Sequence, residues 1–154
     1  MLALRYAAHG ISFQYAPDMK ASAFPRPGRG MNIRVEASTK HGNMFGAVIM
    51  TYLEPIAPEK AFEAAREGIE MVYQSDASKL YKQVASQRTI AGAVRSGTRF
   101  QVEWEKNPCI ELYAFDLNGQ TLCVSLQYDA EDAANAEQRF GPILAELQSI
   151  EAIK

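Results

Sequence analysis

Two glutamates near the middle of the chain have a spacing that acid–base chemistry could use. Glu103 and Glu105 alternate along a predicted strand, which places both carboxylates on one face about 7 Å apart. A general acid and a general base can work at such a separation. They share that face with Arg99 and Gln101, however, and no apolar pocket is indicated around them. A solvated, salt-bridged sheet surface is therefore the favoured interpretation.

The remaining reactive side chains form no recognisable site. His9 and His41 each precede a glycine, which is typical of solvated turn histidines rather than of a base or a metal ligand. Gly28-Arg29-Gly30 lacks the third glycine of a dinucleotide loop and precedes a strand instead of following one. Cys109 and Cys123 fall on opposite faces of a predicted hairpin, so they cannot bond across one sheet. We therefore predict two reduced, packed thiols, no catalytic residue, no cofactor, no metal and no enzymatic activity.

Composition restricts the class of protein. The chain has 154 residues, 47% of them hydrophobic and 22% charged, with a net charge of −2, so one soluble domain spanning 1–154 is expected. The balanced charge does not favour nucleic acid. Neither a signal-peptide core nor an apolar run of membrane-spanning length is present. We expect no membrane insertion and a cytoplasmic location for the sequence as written, with export or lipid anchoring only if a leader precedes it.

The strongest structural signal is Asn118-Gly119 between two alternating runs, because a type I′ hairpin turn needs positive φ at both central positions. That turn places Leu117 opposite Gln120, Phe115 opposite Leu122, and Glu111 opposite Leu126. One face of the hairpin is predicted to be buried under a helix, plausibly the one that follows, and it carries Tyr113, Phe115, Leu117, Leu122, Val124 and Leu126. The other face is expected to be partly covered, and it carries Ile110, Leu112, Ala114, Thr121, Cys123 and Ser125.

Hydrophobic periodicity predicts the other elements. Strands are expected first at 11–15, then at 31–37, 46–53, 84–90 and 94–105, with a loop at 20–30 and a helix at 58–74. A closing helix should begin at Asp129 as its N-cap and run to Ile150, kinked or divided at Gly141-Pro142. Consecutive antiparallel strands with segregated helices predict an α+β fold, a single-domain antiparallel sheet of about six strands flanked by helices.

Charge is unevenly distributed. The segment between Met19 and Val35 holds four cations and no acid, whereas the helices are predominantly acidic. One interpretation is ordinary solvated surface, and the other is a docking site for an acidic protein surface or for a second copy of the chain. In the docking interpretation Phe24 and Met19 add apolar anchors, although both could instead fold back onto the core. The candidate partner-binding residues are Lys20, Phe24, Arg26, Arg29 and Arg34.

Several segments, taken together in this order, resemble the Mog/PsbP-like superfamily. They are Gly10-Ile-Ser-Phe-Gln-Tyr-Ala-Pro17, Thr89-Ile-Ala-Gly-Ala-Val94, Asn118-Gly119, and a closing helix with Phe140, Ile143 and Leu144. The superfamily includes an extrinsic photosystem II protein, a Ran-binding nuclear-transport factor and bacterial relatives of the DcrB kind. The resemblance implies an α/β/α sandwich and a binding, assembly or chaperone-like role without catalysis. Two departures are Met19, where relatives often carry Trp, and the missing lipoprotein leader.

Three functional hypotheses follow. The first is a non-catalytic protein-binding, assembly or chaperone-like module that uses the basic segment. The alternative is a small-ligand-binding protein, or an enzyme of unfamiliar type, with a pocket between sheet and helices near Trp104 and Tyr113. The third is self-association as a homodimer through an exposed edge strand, 11–15 or 31–37.

Overall fold

The computed structural model describes residues 3–25, 30–38, 44–52, 54–74, 81–102 and 108–150. Within these ranges the helices are α1 (Pro58–Gln74) and α2 (Ala133–Ala145), the second preceded by a 3-10 turn at Ala130–Asp132. The strands are β1 (Leu4–Ala8), β2 (Ile11–Tyr15), β3 (Lys20–Pro25), β4 (Gly30–Ser38), β5 (Met44–Tyr52), β6 (Tyr81–Ile90), β7 (Ala93–Val102), β8 (Pro108–Leu117), β9 (Gln120–Asp129) and β10 (Gln148–Ser149).

The main body is a seven-stranded sheet, every neighbouring pair of which is antiparallel, in the order β3-β4-β5-β9-β8-β7-β6. The α+β prediction is confirmed, and the predicted count of about six strands was too low. The central hairpin β8–β9 has the predicted register, with Leu117 opposite Gln120 and Glu111 opposite Leu126. Asn118 and Gly119 both have positive φ, 51° and 85°, as a type I′ turn requires.

A second, three-stranded sheet has the order β1-β2-β10. The strand at 11–15 is therefore not the first, because β1 precedes it and pairs with it through the turn His9-Gly10. This strand lies between two neighbours, and β4, which contains 31–37, lies between β3 and β5. The proposal that 31–37 is an edge strand was therefore wrong. For 11–15 it was wrong at Ile11 and Ser12, which pair with β10, whereas 13–15 pairs with β1 alone among the described residues.

The predicted loop at 20–30 is partly a strand. Lys20–Pro25 pairs with β4 along its whole length and forms one edge of the large sheet. Proline is tolerated there because an edge strand has backbone N–H groups that need no partner strand. Proline-based reasoning alone therefore misassigned the segment.

The closing helix is shorter than predicted. It continues through Pro142 without division but ends at Ala145, and the following residues form β10 against β2. Asp129 makes no side-chain capping bond. Leu147 nevertheless remains buried, because the strand that follows the helix lies over the same core.

The large sheet separates two hydrophobic cores. On one side, which we call the inner face, α2 and the small sheet cover Tyr113, Phe115, Leu122 and Val124. On the other, the outer face, α1 packs on Phe100, Ile110, Leu112 and Cys123 through residues that include Phe62, Ala65 and Ile69. The inner face thus lies under the following helix as predicted. The outer face of the hairpin is covered more completely than expected.

The hairpin β6–β7 extends past the rest of the sheet and reaches α2. Only Thr98–Gln101 of β7 pairs with β8, so the distal half bends over the inner face. At the tip, Ala91 and Gly92 have positive φ and donate their backbone N–H groups to the carbonyls of Leu144 and Ala145, at 2.8 and 3.0 Å. Two of the carbonyls that a helix end leaves unpaired are satisfied in this way.

Candidate functional site on the outer face of the sheet

Three of the predicted partner-binding residues lie together on one face of the edge hairpin β3–β4. Lys20 pairs with Glu36, Phe24 with Asn32, and Ser22 with Arg34. Because directly paired residues of an antiparallel sheet point to the same side, all of them belong to the outer face. We call the surface formed by Lys20, Ser22, Phe24, Asn32, Arg34 and Glu36 the open face.

The open face is exposed because α1 packs mainly on β8 and β9. These strands lie away from the β3 edge in the strand order of the large sheet. Phe24 is 52% exposed, Lys20 is exposed, and the side chain of Arg34 is 50% exposed. Among the residues that the structure describes, Arg34 makes one ion pair, from Nη1 to Glu36 Oε1 at 3.4 Å. A surface pair of that length contributes little to stability. It uses one nitrogen of the guanidinium, so most of the N–H donors of Arg34 remain available to a partner.

Two further predicted residues, Arg26 and Arg29, lie outside the described residues, as do Glu103, Trp104 and Glu105. The two apolar residues of the basic segment have different positions. Met19 is buried in the inner core, whereas Phe24 remains exposed. Only Phe24 can act as a surface anchor.

Next to the open face, a groove runs between α1 and the sheet, with a volume of about 580 Å³. Met50, Ile110 and Leu112 form its apolar floor, and Ile69 of α1 forms part of its wall. We call this cavity the outer groove. Its volume lies within the range of about 300–1,000 Å³ that is usual for small-molecule sites.

Polar groups converge at the end of the outer groove nearest to the open face. Asn32 and Arg34 both line it, and Asn32 Oδ1 is buried without a hydrogen-bond donor among the described residues. A buried acceptor without a donor is costly, and a ligand donor would remove that cost. On the helix side, Gly68 leaves the groove open, since a Cβ atom added there would meet nothing within 4 Å.

The strongest cluster of charged groups lies on the inner face. Glu111 accepts hydrogen bonds from Arg88 Nε and Nη2, at 2.9 and 3.0 Å. It also accepts from the hydroxyls of Tyr113 and Tyr128, at 2.7 and 2.6 Å. Sequence reasoning missed this cluster. The signal was present, because the predicted register already places Glu111 on the buried face of the hairpin.

The protonation states in this cluster reflect the contacts. Burial raises the pKa of Glu111, but the hydrogen bonds from Arg88, Tyr113 and Tyr128 together with the Arg88 charge outweigh it, and the pKa lies below the usual value. Burial and the hydrogen bond to Glu111 raise the pKa of Tyr113 to about 12. Burial lowers the pKa of Arg88, but Glu111 and Glu137 more than compensate. Arg88, Glu111, Tyr113 and Tyr128 thus keep their ordinary charge states and are hydrogen-bonded to one another. We call this cluster the clamp, because such contacts hold strands together.

The solved structures to which this chain is similar include the following two. The solution structure of cyanobacterial PsbP (CyanoP) from Synechocystis sp. PCC 6803 has a TM-score of 0.61 at 10% identity, covering 96% of this chain and 92% of that one. The crystal structure of LpqN, involved in cell envelope biogenesis of Mycobacterium tuberculosis, has a TM-score of 0.54 at 10% identity, covering 97% and 90%. The chain has the PsbP-like fold. No family model and no curated protein sequence matches it.

The α+β, mainly antiparallel PsbP-like fold that the resemblance implied is confirmed. It also accounts for one of the segments that carried the resemblance. Thr89–Val94 is the tip of the hairpin β6–β7, where Ile90 is fully buried and the two residues after it hold the end of α2.

One group of acidic side chains and two thiols remain among the groups of this PsbP-like fold that could bind a metal. Asp129, Glu131 and Asp132 bring carboxylate oxygens within 4.8 Å of one another beside α2, but acidic side chains at a helix start are commonly solvated without an ion. Cys109 and Cys123 are buried thiols in different cores, as predicted. Neither helix among the described residues has the length and apolarity that crossing a membrane requires.

Proposed function

We propose that this chain is a non-catalytic protein-binding module that holds its partner on the open face. The observation that supports this most directly is the half-exposed Phe24, which lies on the same face as Lys20 and Arg34 at one edge of the sheet. Aromatic and arginine side chains dominate the binding energy of protein interfaces, and a large exposed aromatic ring costs free energy unless something covers it. The clamp around Glu111 supports the absence of catalysis, because its groups serve the fold.

The charges of the open face suggest the nature of the partner. Its two cations outnumber its one acid, Glu36, and they are accompanied in sequence by Arg26 and Arg29, with no acid between Met19 and Val35. An acidic partner surface would be steered toward such a patch, so association should slow as salt is added.

The experiment compares two doubly substituted proteins as bait. Phe24→Ser/Arg34→Glu removes the aromatic anchor and inverts one charge on the open face. Lys82→Glu/Val84→Ser makes a matched change at the other edge, where both residues are also exposed. Partners recovered by wild type at low salt should be retained by the β6 variant and lost by the open-face variant. Equal recovery by all three proteins would reject the open face as the binding site.

A second candidate function is small-ligand binding, and the outer groove favours it. Its location differs from the predicted one, since Tyr113 is fully buried in a filled core and Trp104 lies outside the described residues. The groove instead lies between α1 and the part of the sheet formed by β4, β5, β9 and β8. Titration with a fluorescent apolar probe tests it, and binding without saturation would reject it.

A further inference from the structure

We propose that the outer groove binds an amphipathic organic anion, a molecule with an apolar body, an adjacent N–H or O–H donor and one acidic group. This inference rests on the second candidate function and names its ligand class. Three features of the groove define the three parts of the ligand. They are the apolar floor, the unpaired acceptor of Asn32 and the guanidinium of Arg34.

The apolar body is set by the floor and wall. Met50, Ile110, Leu112 and Ile69 line the cavity, and the last three belong to or pack against the outer core. A volume of about 580 Å³ accommodates two fused or linked rings or a medium-length alkyl chain. A polar or highly charged molecule would lose its hydration there without compensation.

The polar end is set by two neighbouring side chains on β4. Asn32 Oδ1 is an acceptor without a donor among the described residues, and an N–H or O–H of the ligand would satisfy it. Arg34 lines the same end and, within the described part of the chain, its ion pair is one long contact to Glu36, so it can donate to a carboxylate, sulfonate or phosphate. A cation at this position would be repelled by Arg34.

Gly68 provides a way to close the groove without disturbing the core. A Cβ atom there meets nothing within 4 Å, so Gly68→Leu should place its side chain in the cavity and should also favour the helix. Gly68→Ala is the control for helix propensity. Glu67→Leu is the control for an added leucine, since Glu67 is exposed on α1.

The probes are a matched pair, 8-anilinonaphthalene-1-sulfonate and N-phenyl-1-naphthylamine, which share two ring systems and one N–H and differ by the sulfonate. Fluorescence titration of wild type should show one saturable site that prefers the sulfonate by about tenfold, as expected for one charge-assisted hydrogen bond. Arg34→Gln should remove that preference and leave the affinity for the neutral probe unchanged. Gly68→Leu should abolish binding of both probes, while Gly68→Ala and Glu67→Leu bind as wild type does.

The outcomes separate the two levels of the proposal. Equal affinity for both probes, unaffected by Arg34→Gln, would overturn the anion class while leaving a ligand groove. Unchanged binding by a folded Gly68→Leu protein would overturn the groove itself. If Gly68→Leu does not fold, the binding site is located instead from the amide chemical shifts of the wild type with and without probe. Probe-induced shifts should centre on 65–69 and 50–52, and shifts confined elsewhere would reject the site.

Discussion

Glu111 is a buried carboxylate that is 4% exposed among apolar side chains, and four hydrogen bonds satisfy it. The side chain of its partner Arg88 is only 12% exposed and also pairs with Glu137. A buried pair of this kind contributes little net stability compared with apolar residues, but breaking it strands a charge. The clamp therefore ties β6, β8 and α2 together in one geometry.

We predict that Glu111→Gln lowers the free energy of unfolding by about 3–5 kcal/mol, because Arg88 loses its bidentate buried partner. Urea unfolding measures the change. Glu137→Gln is the matched control, since it removes the other carboxylate that pairs with Arg88. The side chain of Glu137 is 63% exposed, so this substitution should lower the free energy of unfolding by at most about 1 kcal/mol. Similar losses in the two variants would contradict a buried clamp at Glu111.

The pKa of Glu111 predicts a dependence of stability on pH. Its folded pKa is lowered from 4.5, so its contribution is fully present above pH 4.5 and is lost as the pH falls through the folded pKa. Wild type should therefore lose more stability than Glu111→Gln between pH 5 and the acid limit. Urea midpoints over this pH window provide the test, and parallel curves for the two proteins would refute it.

At the scale of elements, the hairpin β6–β7 depends on a close approach at Gly97. A Cβ atom there would lie 2.1 Å from the carbonyl oxygen of Leu112 and 2.5 Å from Tyr113 Cδ1. Glycine is required because the bending hairpin crosses β8 at this point. The hairpin tip can then reach the end of α2.

We predict that Gly97→Ala destabilises the protein by at least about 3 kcal/mol, because the clash is with backbone and cannot be relieved by a rotamer change. Gly92→Ala at the hairpin tip meets no atom within 4 Å but has a φ of 77°, so only conformational strain of about 1–2 kcal/mol is expected. Thermal unfolding of both variants measures the difference. An equal or smaller loss for Gly97→Ala would contradict the close approach.

At the scale of the whole molecule, one sheet is shared by two hydrophobic cores. Each core contains one cysteine, Cys109 on the inner face and Cys123 on the outer face. Because both cores rest on the same strands, neither can open widely without loss of the backing sheet. Unfolding should be cooperative.

We predict that both thiols become reactive with the same free energy of opening, equal to that of global unfolding. Thiol labelling of Cys123→Ala and Cys109→Ala, each retaining one cysteine, measures the two openings separately, and urea unfolding of each variant supplies its reference. A lower opening free energy for Cys123 would show that α1 detaches on its own.

Much of the fold was predictable because it is encoded locally. The register of β8–β9 follows from Asn118-Gly119, and the bounds of α1 follow from Pro58 and a helical period that ends at Gln74. The predictions failed where pairing with a distant strand decides the structure. The proline-containing β3 is a strand because it pairs with β4, and the two residues of β10 form a strand because they pair with β2. His9-Gly10 and Ala91-Gly92 were recognisable as turns, but not as type I′ hairpins.

The sequence by itself determined the α+β class, the central hairpin with its two faces, and the grouping of Lys20, Phe24 and Arg34 in one segment, because turn chemistry and periodicity are properties of adjacent residues. Only the tertiary structure decided that α1 covers the β8–β9 part of the outer face and leaves β3–β4 bare. It also decided that Arg88 reaches Glu111. These outcomes depend on which surfaces pack together over long sequence separations, and no local pattern specifies that choice.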